Sequence, residues 1–417
     1  MKVLVTTLGR GHFVPAVSAL VAAGEDAYLS IGWIVRNPET SKLVRLAMRL
    51  LKRGDSFVYG MRKRVIPELK GRCFGDFFAE FVETVVRLFF TRIMDSERGR
   101  HYASRVGFWL HGYRVSRLLR KTRFQVVHIR SGYGRGGVIK AAREGGVKIL
   151  VDHSAGSPAF ILGTVDPLHN ASWNYWNAVQ RDCEEADLLL VNSDWVKETF
   201  LMYGYPAEKI RVVYIGIDSW FNGLKEWDSD IVGIGSSPEK PLRIVYTGAF
   251  APHKGNFDFL EAVEKMIEEG IEFAVDVVGS VSISPDVCNR FSKAVGKIRF
   301  HGHQSQDKMC EVMKQAHVYL FPSLSEGCAR SALEAMSMGL CVLATKQSGL
   351  PMTNGRDGYL INVHDSDSIV ERIKWLIAHA DEIKKVGVRA IETGRLYTWE
   401  NYAKNVRKIY KELVEGL

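Results

Sequence analysis

The sequence has few cysteines and no long hydrophobic run, and these absences exclude several classes of protein. Its 417 residues include six cysteines, which form neither a CxxC pair nor a cysteine and histidine cluster at the spacing of metal ligands. No stretch reaches the roughly 20 apolar residues that a helix needs to cross a bilayer. Glycines and a histidine interrupt the apolar start too early for a secretory signal. We therefore expect a cytosolic protein in a reducing compartment, without a structural zinc site.

The composition is that of a soluble globular protein. Hydrophobic residues make up 46% of the chain and charged residues 25%, which argues against disorder and against a collagen-like chain. The length is about 2.8 times the ~150 residues of a typical domain. We therefore expect two or three domains.

Positive charge is concentrated in the first part of the sequence. Residues 1–150 contain 28 lysines and arginines against 11 aspartates and glutamates, whereas residues 151–417 contain 28 against 36. The densest basic run lies between Lys42 and Arg72. Nucleic acid, an anionic membrane leaflet or an anionic substrate could each bind such a surface. No helix-turn-helix, zinc or RNA-binding pattern accompanies the basic residues, which argues against nucleic acid.

Strand and helix patterns alternate along the chain. The first strand pattern, Lys2 to Leu8, is followed by a turn that contains Gly9 and Gly11 and then by a helical pattern. Such alternation predicts a parallel sheet covered by helices on both faces. A stretch rich in Asp, Gly, Ser and Pro at 228–241 separates two units of this kind. We therefore predict an α/β protein whose two halves enclose a cleft, with ligands at the carboxyl ends of the strands.

The segment from Phe321 to Gly339 has the pattern of a strand, a loop of small residues and a helix. The helix begins near Cys328, and its unpaired N–H groups and partial positive charge favour a phosphate. Gly327 lets a ligand approach the backbone closely. Glu326 and Glu334 would lie roughly 12 Å apart along the axis, at 1.5 Å per residue. Two carboxylates on either side of a donor-rich centre suit a nucleotide-sugar.

This segment resembles the E-x7-E motif of retaining glycosyltransferases with the GT-B fold, in particular family GT4. Other elements resemble that family in the same order along the chain: Val151–Ser154, Asn192–Ser193, Tyr214–Asp218, Gly248–Gly255 and Gly349–Leu360. The resemblance implies two Rossmann-like domains, residues 1–227 for the acceptor and residues 242–398 for the nucleotide-sugar, joined by the linker 228–241. It also implies that a C-terminal helix, residues 399–417, packs back on the first domain.

The resemblance further implies roles for individual residues. Lys254 would neutralise the donor diphosphate, Glu334 would accept hydrogen bonds from the ribose, and Glu326 would hold sugar hydroxyls. His153 would face the transferred sugar. The remaining donor-binding residues are glycines of the turns and backbone groups at the helix start: Gly9, Gly11, Gly248, Gly327, Cys328 and Ala329.

The family mechanism sets the expected reaction. Transfer is thought to occur on one face of the sugar, with the leaving phosphate receiving the proton of the acceptor, so that no protein base is obligatory. The protein then holds both substrates in reacting geometry and stabilises the diphosphate. The sequence offers no paired Asp motif for a divalent ion. We expect a retaining hexosyltransferase that uses a UDP- or GDP-linked sugar and requires no metal cofactor.

Two positions depart from the family pattern. Ala249 stands where the family has an arginine that accompanies the lysine on the diphosphate, and Met352 stands where it usually has a glutamate. Arg330 or His253 could supply the missing positive charge. A GT-B protein that has lost catalysis and acts as a scaffold or binding protein is therefore the alternative, and a nucleic-acid-binding protein is a weaker one.

The basic first half predicts an acceptor that is anionic or embedded in a membrane. Residues 81–90 and 105–119 mix apolar side chains with arginines, as segments that lie on anionic lipid do. We expect a lipid-linked or glycan acceptor and a peripheral location on the inner face of the cell membrane. The candidate acceptor-binding residues are one histidine of the glycine turn and three aromatic residues: His12, Phe160, Trp173 and Trp176.

Overall fold

Two parallel sheets form the framework of the chain. The computed structural model describes residues 1–9, 11–34, 64–93, 96–165, 173–218, 221, 231 and 233–416. Most of the basic run from Lys42 to Arg72, and part of the predicted linker at 228–241, lie outside the described residues.

The first sheet carries the acceptor half predicted from the sequence. Its strands in the described residues are β1 (Lys2–Thr6), β2 (Asp26–Ile31), β3 (Cys73–Gly75), β4 (Val126–Arg130), β5 (Lys148–His153), β6 (Leu188–Val191) and β7 (Ile210–Val212). They pair in parallel in the order β3-β2-β1-β4-β5-β6-β7. The helices of this lobe are α1 (Phe13–Ala22), α2 (Phe77–Ile93), α3 (Ser96–Lys121), α4 (Val138–Glu144), α5 (Trp173–Glu184) and α6 (Asp194–Leu201).

The second sheet has the same construction. Its strands are β8 (Leu242–Thr247), β9 (Phe273–Val278), β10 (Ile298–Gly302), β11 (Val318–Phe321), β12 (Cys341–Thr345) and β13 (Tyr359–Ile361), in the parallel order β10-β9-β8-β11-β12-β13. The helices that follow the linker are α7 (Asn256–Glu268), α8 (Pro285–Arg290), α9 (Ser292–Lys297), α10 (Gln306–Gln315), α11 (Arg330–Met338), α12 (Ser366–Ala378), α13 (Ala380–Gly394) and α14 (Trp399–Glu415).

The central strands are apolar and buried on both faces. All four residues of β6 and all five of β12 are buried. A strand without a solvated face requires helices on both sides of the sheet, which is the arrangement of doubly wound α/β proteins. Because the strands of each sheet run in parallel, the residues that end or follow them meet at one edge: Gly9, Arg130 and His153 in the first lobe, and Gly248 and Pro322 in the second.

The chain crosses between the lobes twice, and the two crossings lie side by side. Val213 belongs to the apolar core of the first lobe, whereas Ile217 and Phe221 belong to that of the second. The chain therefore leaves the first lobe near residue 214, before the predicted boundary at residue 227. Ile217 pairs in parallel with Thr398, where the chain returns.

Helix α14 lies on the first lobe, against α1. Its apolar face joins the core that contains the residues of β1 and β2. The Tyr410 hydroxyl hydrogen-bonds His128 Nδ1 at 2.7 Å, and Arg407 donates to Glu25 at 2.6 Å. The C-terminal helix therefore ties the second lobe to the first through buried contacts.

Helices α2 and α3 pack along each other and are anchored to the sheet by a buried histidine. His111 of α3 hydrogen-bonds Asp76 Oδ2 and Thr6 Oγ1, both at 3.0 Å. Further along, Gly107 of α3 faces Glu83 of α2, and a Cβ on this glycine would lie 2.6 Å from a carboxylate oxygen. Burial raises the pKa of Glu83 to about 6. A carboxyl group is therefore enclosed between the two helices.

The raised pKa of Glu83 predicts a pH-dependent contribution to stability. Ionisation of this carboxyl is disfavoured in the folded state, so the stability it provides is full at low pH and is lost as the pH rises through about 6. We therefore compare the free energy of unfolding of the Glu83→Gln variant with that of wild type at pH 4.5 and at pH 8. The difference in favour of the variant should grow by up to about 2 kcal/mol between the two pH values, from 1.36 kcal/mol per pKa unit.

Urea unfolding at the two pH values measures this gain. Glu144→Gln removes an exposed carboxylate that pairs with Arg120 and serves as the control. An identical difference between Glu83→Gln and wild type at both pH values would contradict the raised pKa.

Candidate active site

The loop between β11 and α11 carries the predicted carboxylate Glu326. Strand β11 ends at Phe321, and α11 begins at Arg330, two residues after the predicted start. Gly339 takes a positive φ of 98° and ends the helix. The N-terminus of α11 thus lies at the carboxyl edge of the second sheet, as the sequence predicts.

A glycine brings Lys254 to this loop. Lys254 ends the short 3-10 turn Pro252–Lys254, and Gly255 follows with a φ of +73°. A Cβ on Gly255 would lie 1.8 Å from the carbonyl oxygen of Pro322, so only a glycine lets the two loops approach so closely. The contact is completed by the Leu324 N–H, which donates to the His253 carbonyl at 3.1 Å.

Lys254 and Glu326 form an ion pair, although they lie 72 residues apart in the sequence. The Ser323 hydroxyl also donates to the same carboxylate oxygen, at 3.3 Å. Both side chains remain partly exposed, at 21% for Lys254 and 15% for Glu326. The structure therefore places together the two residues predicted to hold the diphosphate and the sugar, and pairs them with each other.

Glu334 is held by an arginine of its own helix. Its side chain is only 9% exposed, and Arg330 Nε donates to Glu334 Oε1 at 2.9 Å. Burial raises the pKa of Glu334, and Arg330 opposes that rise. The same guanidinium donates to Asp218 at 3.2 Å. Arg330, one candidate for the charge that Ala249 lacks, is therefore engaged by two carboxylates.

The two positions that depart from the family pattern lie in different surroundings, since Ala249 is exposed and Met352 is partly buried. The Ala249 carbonyl accepts a hydrogen bond from the Tyr246 hydroxyl at 2.7 Å. Met352 packs against the apolar core of this lobe, and its sulfur lies where a Cβ on Gly358 would be. Neither position presents a charge.

The backbone donors of the loop are used differently from the prediction. The Ala329 N–H, expected to face the donor, instead donates to the Ser348 carbonyl at 2.9 Å. The Glu326 N–H donates to Gln347 in the same turn, at 2.8 Å. The cause is the 3-10 turn Lys346–Ser348 after β12, which packs against the loop and takes up these donors.

Gly327 is where the two lobes meet. A Cβ on this residue would lie 2.3 Å from the Ser154 carbonyl oxygen and 2.7 Å from the Asn192 amide nitrogen, both in the first lobe. The Ser193 hydroxyl donates to the Gly327 carbonyl. We predicted that a ligand would lie close to this glycine. In the structure, residues of the first lobe occupy that position.

The predicted residue His153 is buried at the end of β5. The Ser131 hydroxyl donates to its Nδ1, and its Nε2 donates to the Gly156 carbonyl, both at 2.9 Å. Burial lowers its pKa, so the imidazole is neutral near pH 7. Its bond to Gly156 holds a loop that reaches the second lobe, since a Cβ on Gly156 would lie 3.4 Å from the Ser325 hydroxyl.

His12 belongs to a buried hydrogen-bonded group of the first lobe. Its Nε2 donates to Asp152 Oδ2 at 3.1 Å, and His128 Nε2 donates to the same oxygen at 3.3 Å. Burial alone would raise the pKa of Asp152, but the two histidines outweigh it and hold that pKa well below its usual range. His12 is therefore occupied by a carboxylate in this structure.

The glycine turn after β1 lies beside an arginine that sequence analysis overlooked. A Cβ on Gly9 would lie 3.1 Å from a guanidinium nitrogen of Arg130, and Gly11 has a positive φ of 42°. Arg130 has no ion-pair partner among the described residues. Its position as the last residue of β4 was a signal that could have identified it.

The predicted aromatic acceptor residues do not form one group. Phe160 packs edge-on against Trp195, which also lies beneath the Lys346 ammonium of the second lobe. Trp176 packs against His101 in the core of the first lobe, and its buried indole N–H has no partner in the described part of the chain. The Trp173 side chain lies outside the described residues.

The described residues contain neither a membrane-spanning helix nor a cluster of metal ligands. No helix among the described residues is long and apolar enough to cross a membrane. No group of three histidine, cysteine, aspartate or glutamate side chains in that part of the chain is placed to hold a metal ion.

Both halves of the chain match glycosyltransferase families. Residues 241–379 match the family described as Glycosyl transferases group 1, and residues 75–220 match Glycosyltransferase Family 4. An uncharacterized glycosyltransferase of Methanocaldococcus jannaschii is 28% identical over 172 residues, which are 40% of this chain and 48% of that one. Sulfoquinovosyl transferase SQD2 of Arabidopsis thaliana is 25% identical over 282 residues, 65% of this chain and 53% of that one. The chain spans about half the length of the curated relatives it matches.

Solved structures match over nearly the whole chain. HepE of Anabaena, solved in complex with UDP, has a TM-score of 0.64 at 13% identity and covers 99% of this chain and 100% of its own. Sucrose-phosphate synthase of Thermosynechococcus elongatus has a TM-score of 0.65 at 14% identity and full coverage of both chains. The predicted fold of two facing Rossmann-like domains, GT-B, is confirmed.

The close contact at Gly327 generates a prediction about stability. A methyl group there must displace the Ser154 carbonyl or separate the lobes, and such overpacking costs typically about 1–3 kcal/mol. We expect the Gly327→Ala variant to lose stability by this order in urea unfolding. Gly296→Ala is the matched control, because a Cβ on Gly296 meets nothing within 4 Å. Equal effects of the two substitutions would contradict the interlobe contact.

Proposed function

We propose that the chain is a retaining hexosyltransferase, which moves a sugar from a UDP- or GDP-linked donor to a lipid-linked or glycan acceptor. The observation that supports this most is the Lys254 ammonium beside Glu326 in the loop that precedes α11. It stands at the carboxyl edge of the second sheet, in a GT-B fold whose two halves match glycosyltransferase families. The UDP in the HepE structures supports a uridine nucleotide as the donor.

The donor diphosphate would lie between Lys254 and the first turn of α11. A helix start carries partial positive charge, and an ammonium beside it adds a full one. A diphosphate gives Lys254 a second anionic partner and frees a Glu326 oxygen to accept a sugar hydroxyl. Arg330 occupies Oε1 of Glu334, so we assign the ribose hydroxyls to Oε2.

The reaction needs little proton transfer by the protein. The acceptor oxygen bonds to the anomeric carbon while the bond from that carbon to the phosphate oxygen breaks, and the acceptor proton passes to the leaving phosphate. Stabilising the charge on that phosphate is the main task of the site, and no metal is part of this proposal. The neutral His153 holds the loop at Gly156, and it would touch the sugar only if that bond opened.

The alternative is a GT-B protein that binds a nucleotide without catalysis. Ala249 carries no charge and Arg330 is engaged by two carboxylates, so neither of these residues provides the free positive charge that the family has beside the lysine. A scaffold of this kind would bind the donor but would neither hydrolyse nor transfer its sugar. Product formation therefore separates the two functions.

Substitution of the paired residues tests the site. We expect Lys254→Ala and Glu326→Ala to lower kcat for sugar transfer or donor hydrolysis by about 10²–10³, because each removes a preorganised group from the diphosphate or the sugar. Circular dichroism should show an intact fold. Lys265→Ala, which removes a surface lysine paired with Asp367, is the matched control. Turnover close to that of wild type in either site variant would refute the assignment.

We further propose that the protein is peripheral to an anionic membrane, bound through α2 and α3. The two helices expose apolar and aromatic side chains along one face each: Phe78, Phe81, Val85, Leu88 and Phe89 on α2, and Tyr102, Trp109 and Tyr113 on α3. Arginines lie among them, and Arg87, Arg92 and Arg105 have no ion-pair partner within the described ranges. Aromatic rings beside basic side chains suit the interface of an anionic bilayer.

Sedimentation with vesicles tests this attachment. We expect the protein to bind phosphatidylglycerol vesicles at low salt and to bind them more weakly at high salt. The Phe78→Ser/Phe81→Ser variant should lose most of the binding seen at low salt. Leu396→Ser removes an equally exposed leucine of the second lobe and is the control. No sedimentation at either salt concentration would leave a soluble acceptor and exclude the membrane proposal.

A further inference from the structure

A pocket in the first lobe lies apart from the donor site and is not used by the proposed reaction. It has a volume of about 710 Å³, is open to solvent on one side and is lined mainly by α2, α3 and α5. That size is typical of pockets that bind one small molecule. One wall is apolar and aromatic and includes Phe78, Tyr102 and Trp109. The polar part of the lining includes Asn174, Asn177 and Arg181 of α5.

The charge of the pocket is positive. Three arginines line it and none of its lining residues is acidic. Arg135 is neutralised by Asp182, to which its Nε donates at 2.8 Å. Arg105 and Arg181, in contrast, have no acidic partner among the residues that the structure describes. Two exposed guanidinium groups, neither with a counter-ion among those residues, thus line one pocket.

The mouth of the pocket is apolar. Phe78 is 63% exposed and Trp109 58%, and both belong to the exposed faces of α2 and α3. The inner wall contains Phe108, whose ring lies 4.6 Å from that of Tyr133, just after the end of β4. The lining of the pocket therefore combines apolar and aromatic side chains with the exposed guanidinium groups of Arg105 and Arg181. An occupant must combine an apolar chain with an anionic group.

We propose that this pocket binds one molecule of an amphiphile that carries a phosphate on an aliphatic chain. Arg105 and Arg181 would bind the phosphate oxygens, for which the planar guanidinium fork is well suited, and the aromatic wall would hold the chain. Because it extends the proposed acceptor and membrane contact, this inference rests in part on the proposed function. The phosphate could belong to a bilayer lipid or to a lipid-linked acceptor, and both share this chemistry.

Direct binding tests the pocket. The probe is dihexanoyl phosphatidate, held below the concentration at which it forms micelles and titrated into the full chain by calorimetry. We expect the Arg105→Gln/Arg181→Gln variant to bind it at least about tenfold more weakly, since hydrogen bonds between charged groups are worth about 1.5–3 kcal/mol. The control is Arg117→Gln/Arg120→Gln, two arginines of α3 outside the pocket. We expect inorganic phosphate to bind more weakly than the probe.

Three results would overturn the inference: no binding of phosphatidate, an equal loss in the control variant, or equal binding of inorganic phosphate. A thermal shift with UDP and GDP in the same variants keeps the two proposals apart. If the nucleotides stabilise neither form while the lipid binds, the proposed function fails and the pocket stands. If the nucleotides stabilise both forms while the lipid does not bind, only the pocket fails.

The source of the phosphate is resolved by sedimentation with two kinds of phosphatidylcholine vesicle, one containing phosphatidylglycerol and one containing undecaprenyl phosphate. Greater loss of binding to the second vesicle in the Arg105→Gln/Arg181→Gln variant supports a lipid-linked acceptor. A similar loss with both supports a bilayer lipid. Unchanged binding to both would contradict the pocket.

Discussion

The proposed activity of this protein depends on one electrostatic contact, the approach of the Lys254 ammonium to the loop that precedes α11. That contact exists because Gly255, with its positive φ, lets one loop lie against the carbonyl of Pro322 at the end of β11. The ammonium, the carboxylate of Glu326 and the positive end of a helix then share a small volume. In the proposed function these fixed positive and negative groups bind the diphosphate and the sugar.

The same region also joins the lobes. Gly327 lies against Ser154 and Asn192, and Lys346 pairs with Glu198 across the gap at 2.6 Å. Asn192 Oδ1 is buried at this contact without a hydrogen-bond partner in the described residues. A donor that reaches the first turn of α11 must therefore replace contacts between the lobes with contacts to itself. If the donor binds as proposed, its binding and the contact between the lobes are linked.

A second link runs from α11 to the chain crossing. Arg330 joins Glu334 to Asp218, and Asp218 accepts a further hydrogen bond from the Trp399 indole at 3.2 Å. Trp399 begins α14, which packs on the first lobe. A ribose hydroxyl at Glu334 would therefore contact a network that spans both crossings. The sequence analysis overlooked Asp218 as part of this network, although it had named the motif that contains it.

Local patterns were enough to predict the framework and the place of the loop that carries Glu326. The apolar strands, the glycine turns and the strand, loop and helix around Glu326 depend on neighbours in sequence, and the structure shows them where they were expected. The partners of the side chains could not be predicted, because they come from distant segments. The Lys254 and Glu326 pair spans 72 residues, and the turn at Ser348 takes the Ala329 N–H.

Tertiary packing determines several features that the sequence alone did not predict. Trp176 is amphipathic and could face a sugar or the core, and its contact with His101 places it in the core. The boundary near residue 214 depends on the burial of Ile217 and Phe221 in the second lobe. The composition of the sequence does not show which lobe buries a residue. The exposed faces of α2 and α3 appeared in the sequence only as mixed apolar and basic segments. Their pairing, and the pocket they form with α5, required the tertiary structure.

The most direct test of the central claim is the thermal stability of the protein with nucleoside diphosphates and monophosphates of the same base. A ligand at 100 times its Kd adds ~2.7 kcal/mol to the free energy of unfolding. The account predicts that UDP or GDP raises the melting temperature more than UMP or GMP does, and that Lys254→Ala abolishes the difference. Equal stabilisation by the monophosphate and the diphosphate in the wild-type protein would contradict it.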